Sequence, residues 1–210
     1  MPPMAVCVLR SGGEYRPQHV TTLYRAVQEF WPVDTLLRFA VLTDYKMYDF
    51  TDAAPPELIY LRYEWRGWWA KMELFRSDLL WVGDMLFFDL DTVVVGDLTD
   101  IVNVGQLTCL SDFYRPINLA SGLMYLPRDR RSTVWTAWDM GKGMRNYRGD
   151  QEFLRTVWRD EERWQHILPG QVVSYKVHVK PARRVPEGAR VVCFHGKPRP
   201  WEVDERELYG

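Results

Sequence analysis

Asp89 and Asp91 stand inside an otherwise apolar run, MLFFDLDTVVVGDL, at residues 85–98. An ionised carboxylate taken out of water is costly unless it is paired, hydrogen-bonded or metal-bound, and two carboxylates so close also repel each other. On an extended strand, residues i and i+2 point the same way, about 6.6 Å apart along the chain. Asp89 and Asp91 therefore share a face, and Phe88, Leu90 and Thr92 take the other. If the strand ends or bends between them, both carboxylates can converge on one ion. Two carboxylates do not fill the shell of a hard cation. Mg²⁺ or Mn²⁺ would keep waters there and accept phosphate oxygens from a ligand. The carboxyl end of a strand is also where open α/β sheets place their ligands.

The pattern around the pair supplies such a sheet. Residues 4–10 read as a buried strand ending at Ser11-Gly12-Gly13. Pro17 opens a helix in which Val20, Leu23, Val27 and Phe30 recur at helical spacing up to Trp31-Pro32. Further strands are predicted at 37–43, 58–61, 107–110, 122–126, 171–174 and 190–194, with one long strand over 85–95 that the two aspartates interrupt. Helices are predicted over 69–80, 129–145 and 150–164, and a polar loop with Pro55-Pro56 over 44–57. Strands alternating with helices through the first hundred residues imply a mainly parallel α/β sheet covered on both faces. The segment 181–188, PARRVPEG, reads as a basic loop in which Arg183 and Arg184 are solvated.

The 210 residues suit a single domain, and a net charge of −1 gives no overall field toward nucleic acid or an anionic membrane. Any bound anion must then be held by local cations. Cys7, Cys109 and Cys193 are far apart and form no CxxC pair, which points to reduced, buried thiols. The start, MPPMAVCVLRSGG, lacks a basic leader region, and no apolar run approaches the ~20 residues of a membrane span. A soluble, cytoplasmic protein is the expectation. Ten Trp residues are either core aromatics or, for a few, an exposed platform suited to the faces of sugars or nucleobases.

Two families share a DxD pattern on a strand. FFDLDTVVV is similar to the motif of haloacid-dehalogenase-like phosphatases. In that fold, however, the motif lies near the N-terminus, and the expected later GDxxxD fails because Leu154 stands where the last acid belongs. The ordered set of segments resembles instead a GT-A glycosyltransferase of the family-8-like group, related to glycogenin and galactosyltransferases. LFFDLDTVVVGDL resembles the group's hhhDhDhhhhxDL segment, and GWWAKMELFR the helix before it with its Lys-x-x-x-(Phe/Leu)-Arg pattern. NLASGLMYL resembles its N-S-G strand, GDQEFL its DQxxhN segment, and CFHGKPRPWE its His…Gly…Lys-Pro-Trp ending. These matches span residues ~5 to 202. The ending departs from the group's pattern: His195 and Lys197 are only two apart, and Arg199 precedes Pro200-Trp201. LRSGGEY also lacks the acidic pair that usually follows the first strand.

The resemblance implies a metal-dependent transferase using a nucleotide-sugar donor, UDP-linked, with Mn²⁺ or Mg²⁺ on Asp89 and Asp91 and His195 as a third ligand. It implies a single GT-A domain over 1–210 whose basic segment 195–210 closes over the donor site. It also places Lys71 near the donor and favours retention of configuration. Lys197 is positioned by sequence to contact phosphate, with Gly196 allowing close backbone approach. Arg10, Ser11 and Asp44, at the ends of the first two strands, are where a nucleoside would sit by the switch-point rule. Leu90, Ser121 and Gly122 join the donor-binding set. Asp150 either caps a helix or meets sugar hydroxyls or the acceptor, and becomes the general base if the reaction inverts; Gln151 lies beneath the anomeric carbon. The acceptor is a saccharide, a protein or a lipid-linked glycan. The remaining alternatives are the phosphatase and a non-catalytic nucleotide-sugar binding module.

Overall fold

The computed structural model describes residues 1–50, 57–158 and 161–209. Four strands form a parallel core: β1 (Met4–Leu9), β2 (Phe39–Thr43), β3 (Glu57–Tyr60) and β4 (Met85–Phe88). Then follow β5 (Thr92–Val94), β6 (Thr108–Ser111), β7 (Leu119–Leu126), β8 (Glu162–Arg163), β9 (Val172–Ser174) and β10 (Val191–Cys193). The larger sheet has seven strands in the order β3-β2-β1-β4-β7-β6-β8, and a second sheet has the order β5-β10-β9. β7 runs antiparallel to both β4 and β6. The expected mixed, mainly parallel sheet flanked by helices is what the chain builds.

The uninterrupted apolar runs of β1, β2 and β4 fit strands covered on both faces. Side chains of β1 alternate between two cores. Ala5, Cys7 and Leu9 enter one with Val20, Leu23 and Val27 of helix α1 (Pro17–Phe30). Met4 and Val6 enter the other with Met72, Phe75, Val134, Trp138 and Phe153. The second core is covered by α3 (Arg128–Trp138) and α4 (Asp150–Val157); the short α2 (Thr99–Val102) joins the first. A third cluster, with Val93, Val173, Val192, Phe194 and Leu208, lies against the small sheet. The three cysteines are buried and unpaired. No described helix is long and apolar enough to cross a membrane.

Four boundaries differ from the sequence reading. The long strand over 85–95 is two strands in two sheets, separated by the turn Asp89-Leu90-Asp91. The helix expected over 69–80 is two 3₁₀ stretches, Gly67–Phe75 and Ser77–Val82, broken at the extended Arg76. Residues 70 to 75 are all buried, so the segment carries no one-sided stripe of the kind that marks an amphipathic α-helix. The helix over 129–145 ends at Trp138, because Asp139, Met140 and Gly141 all take positive φ. The helix over 150–164 ends at Val157, and β8 then pairs with β6. Of the polar loop 44–57, residues 51–56 lie outside the described residues.

Glu73 fixes the 3₁₀ stretch. Its carboxylate accepts from the backbone N–H groups of Arg62 (2.7 Å) and Tyr63 (3.0 Å) and from Arg76 (2.6 Å), with no solvent exposure of its own. Glu73→Ala leaves a buried guanidinium and two N–H groups without this acceptor. We expect a loss of about 3 kcal/mol or more, read from denaturant unfolding. A midpoint equal to wild type would show that Glu73 is dispensable.

Candidate active site

β2 and β3 lie to one side of β1 and β4 lies on the other, so the chain reverses its winding between β1 and β4. A cleft of about 1140 Å³ opens at the carboxyl ends of these two strands. Its floor is the turn between β4 and β5. Asp89 N–H donates to the Gly122 carbonyl (2.9 Å), Thr92 N–H to the Asp89 carbonyl (3.0 Å), and Phe194 N–H to the Asp91 carbonyl (3.2 Å). β7 thus sets the position of Asp89, and the end of β10 that of Asp91. Gly122 is needed for the approach: a Cβ there would lie 3.3 Å from Leu110 Cδ1 and 3.7 Å from Asp89 Oδ2. Leu90, between the two acids, is buried in the first core and also lines the cleft.

Lys71 is the cation beneath Asp89. Its ammonium lies 2.9 Å from Asp89 Oδ1, 3.1 Å from Ser121 Oγ and 3.4 Å from Asp150 Oδ2. Ser121 in turn donates to Asp150 Oδ2 at 2.6 Å. Burial opposes the charge on Lys71, but Asp150 and Asp89 outweigh it and hold the ammonium above the ordinary lysine range. Burial pushes Asp89 up to about 7; Lys71 pulls it down and the negative charge of Asp91 adds to the rise. Asp150 and Gln151 both line the cleft at the start of α4, with the Asp150 carboxylate turned into this network rather than onto the helix end.

Asp91 has a different partner. Arg199 NH1 ion-pairs with Asp91 Oδ2, and the Nε of the same guanidinium donates to Glu14 Oε1 at 2.9 Å. Tyr15 lines the cleft with Asp91. Burial raises Asp91 above the usual carboxylate range, against the pull of Arg199. Lys197, expected on phosphate, is 64% exposed, lies outside the cleft lining, and pairs with Glu14 at the cleft edge and with Glu202. Gly196 takes φ 76° and lines the cleft, which lets the chain turn beside it.

His195 reaches the cleft wall, but its Nε2 is shared with Ser174 Oγ at 2.7 Å and its ring stacks on Phe113. Burial and the nearby Lys176 hold its pKa below the ordinary value, which favours the neutral imidazole. Among the described residues, no three His, Cys, Asp or Glu side chains converge as a ready metal cluster. Arg10, Ser11 and Asp44 meet at the ends of β1 and β2. Ser11 N–H donates to Asp44 Oδ1 (2.8 Å), and Arg10 Nε lies 3.4 Å from Asp44 Oδ2. Arg10 and Ser11 line the cleft with Asp44 behind them.

No protein-family model matches the chain, and no curated protein matches it. Solved structures do. The glycosyltransferase GlyE of Streptococcus pneumoniae is similar over 99% of this chain and 60% of its own, at 13% identity and a TM-score of 0.65. LgtC, a galactosyltransferase solved with donor and acceptor sugar analogues, is similar over 98% of this chain and 91% of its own, at 12% identity and a TM-score of 0.64. The bifunctional WbbM is similar over 98% of this chain and 48% of its own, at 12% identity and a TM-score of 0.66. The fold is GT-A. The chain spans 60% of the length of the GlyE chain it matches.

Within this GT-A frame, Glu14, Tyr15 and Arg199 are among the cleft residues that the sequence reading did not assign to the site. Glu14 and Tyr15 follow the first strand's Gly-Gly turn, a position the switch-point rule covers. Arg199 was visible as the residue before Pro200-Trp201, where the resembling group has lysine. Of the Trp residues, Trp31, Trp65, Trp138, Trp158 and Trp164 are buried, whereas Trp68, Trp81 and Trp201 are exposed. Trp201 stacks on His19 at 4.0 Å between ring centroids, which ties the segment after Arg199 to α1.

Proposed function

We propose that the protein transfers a sugar from a nucleotide-sugar donor, UDP-linked, to a glycan-type acceptor with retention of configuration. One observation carries this reading: Asp89, Asp91, Lys71 and Asp150 converge on the floor of one cleft at the switch point of a GT-A fold.

The donor set suits a divalent cation. In the network of Asp89, Asp91, Asp150, Glu14 and Glu202, the facing cations are Lys71, Arg199 and Lys197. Fully ionised, that cluster is negative, and a diphosphate would be repelled from it without further positive charge. Hard carboxylate oxygens favour Mn²⁺ or Mg²⁺. Asp89 and Asp91 would hold the ion, and it would supply Lewis acidity toward the departing diphosphate.

The chain's own groups do the rest. Lys71 holds the carboxylates of Asp89 and Asp150 in place on the cleft floor. Arg199, which lines the cleft beside Asp91, is positioned to meet a phosphate oxygen once Asp91 turns to another partner. Arg10, Ser11 and Tyr15 border the nucleoside end. The Asp150 carboxylate is already engaged by Ser121 and Lys71, which makes it an organiser of the floor rather than a free base. That supports retention. The anomeric carbon–phosphate oxygen bond breaks, the acceptor oxygen bonds the same carbon on the same face, and its proton passes to the released diphosphate. The Gln151 side chain bonds no described residue, which leaves its amide available to the sugar.

A thermal-shift screen of nucleotide sugars with and without Mn²⁺ tests this. A ligand at 100 times its Kd adds about 2.7 kcal/mol, which is roughly 5–10 °C in Tm for a chain of this size. The expected hit is a UDP-sugar, followed by release of UDP when acceptor is added. Release of inorganic phosphate would return the phosphatase. Binding without turnover on every acceptor would favour a binding module.

A further inference from the structure

We propose that the acceptor is an anionic saccharide, bound by Trp68, Arg66 and Arg148 at the mouth of the cleft opposite the carboxyl end of β1. The proposal rests on the glycosyltransferase reading above and names the substrate class of the same site.

The cleft, at about 1140 Å³, exceeds what one drug-sized ligand fills, typically ~300–1000 Å³. The nucleoside and diphosphate take the end formed by Arg10, Tyr15, Asp91 and Arg199. The remaining wall comes from two segments. One is the start of the 3₁₀ stretch, where Arg66 and Trp68 flank Gly67 and lead to Lys71. The other is Arg148-Gly149, which leads into Asp150 and Gln151. The two segments touch: a Cβ on Gly149 would lie 3.2 Å from Trp68 Nε1 and 3.5 Å from its Cδ1. That contact brings Arg66 and Arg148 to the same wall, and all four residues line the cleft.

Each group has chemistry left over. Trp68 is 57% exposed inside a concave site, and an indole face accepts the C–H face of a sugar ring. Arg66 and Arg148 are exposed and form no ion pair with any described residue. Their neighbours do pair: Arg62 with Asp78 at 2.9 Å, and Arg76 with Glu73 at 2.6 Å. Glu152, also on this wall, accepts from the backbone N–H of Arg148 at 2.6 Å and ion-pairs with neither guanidinium. Two like charges on one wall repel. A carboxylate or phosphate on the incoming sugar removes that repulsion and matches the planar donors of guanidinium. A neutral acceptor does not. Lys71 and Asp150, on the same two segments, connect the anion's site to the reacting centre.

The test uses protein saturated with UDP and Mn²⁺ and three probes: methyl glucuronide, glucose 6-phosphate and methyl glucoside, titrated at low salt by NMR. At least one anionic sugar is expected to bind tenfold or more tighter than the neutral one. Which anion wins separates carboxylate from phosphate. Arg66→Gln combined with Arg148→Gln should erase that preference, and Trp68→Ala should weaken all three probes alike. Equal affinity for neutral and anionic sugars, a preference that survives the double variant, or no sugar binding at all would each overturn the proposal. UDP affinity is the control: if wild type fails to bind UDP, the transferase reading falls and the subsite with it. If UDP binds and the charge preference is missing, only the subsite falls.

Discussion

Lys71→Met is expected to cost the fold about 3–5 kcal/mol near pH 8, the range for removing one partner of a buried ion pair. Methionine keeps the length of the side chain, so the loss measures charge and hydrogen bonding more than packing. In the wild type Lys71 is 7% exposed, and its ammonium is shared among Asp89, Asp150 and Ser121. Without it, two carboxylates on the cleft floor face each other with no cation between them. The folded state answers by taking up protons: Asp89, already raised to about 7 with Lys71 present, rises further without it. A carboxylate raised in the folded state binds more protons there than in the unfolded chain, and stability then falls as pH rises. The variant should therefore sit closest to wild type near pH 5 and furthest from it near pH 8. Asp150→Asn added to Lys71→Met should recover part of the loss, because one buried charge is gone. Urea melts of the three proteins with a chelator present, at both pH values, measure this. A Lys71→Met protein as stable as wild type at pH 8 would mean that the floor is solvated and the pairing incidental.

Asp91→Asn should lower Mn²⁺-dependent UDP affinity by 100-fold or more, about 2.7 kcal/mol or more, while the protein stays folded. The amide has the shape of the carboxylate but not its charge, and Arg199 keeps Glu14 as its second partner. The effect comes from the ligand side. A carboxylate that holds a divalent ion beside a diphosphate is lost, whereas the backbone contacts of the turn are untouched. Calorimetric titration of UDP with and without Mn²⁺ gives the answer. Affinity that is the same in variant and wild type, or independent of the ion in both, would remove the metal from the reading and leave Arg199 as the main countercharge.

The strands were legible because burial on both faces leaves an unmistakable apolar run, as in MAVCVL and MLFF. Helix α1 was legible because one of its faces is wet. The stretch 67–82 was not: its middle, 70–76, is buried on every side, and its 3₁₀ winding depends on Glu73 reaching back to residues 62 and 63, contacts that no local pattern encodes. Asp89 and Asp91 stood out because charge inside a hydrophobic run demands a reason. Lys71 came from the resemblance alone, and on composition it reads as a surface lysine; its burial follows from tertiary packing. Lys197 and Arg199 show the limit most plainly. Both are cations two residues apart in one segment, and only the path of the chain after Gly196 decides which one turns inward.

The bond between Arg199 and Glu14 joins positions 185 apart in the chain. Contacts of such long range close late, since the intervening polypeptide must first collapse. The large sheet and both of its cores can form while Asp91 still lacks its guanidinium. A nascent chain halted before Arg199 would thus carry a finished scaffold in which Asp91 has no ion-pair partner. Ligand capture should consequently be among the last properties to arrive during refolding, trailing the recovery of secondary structure.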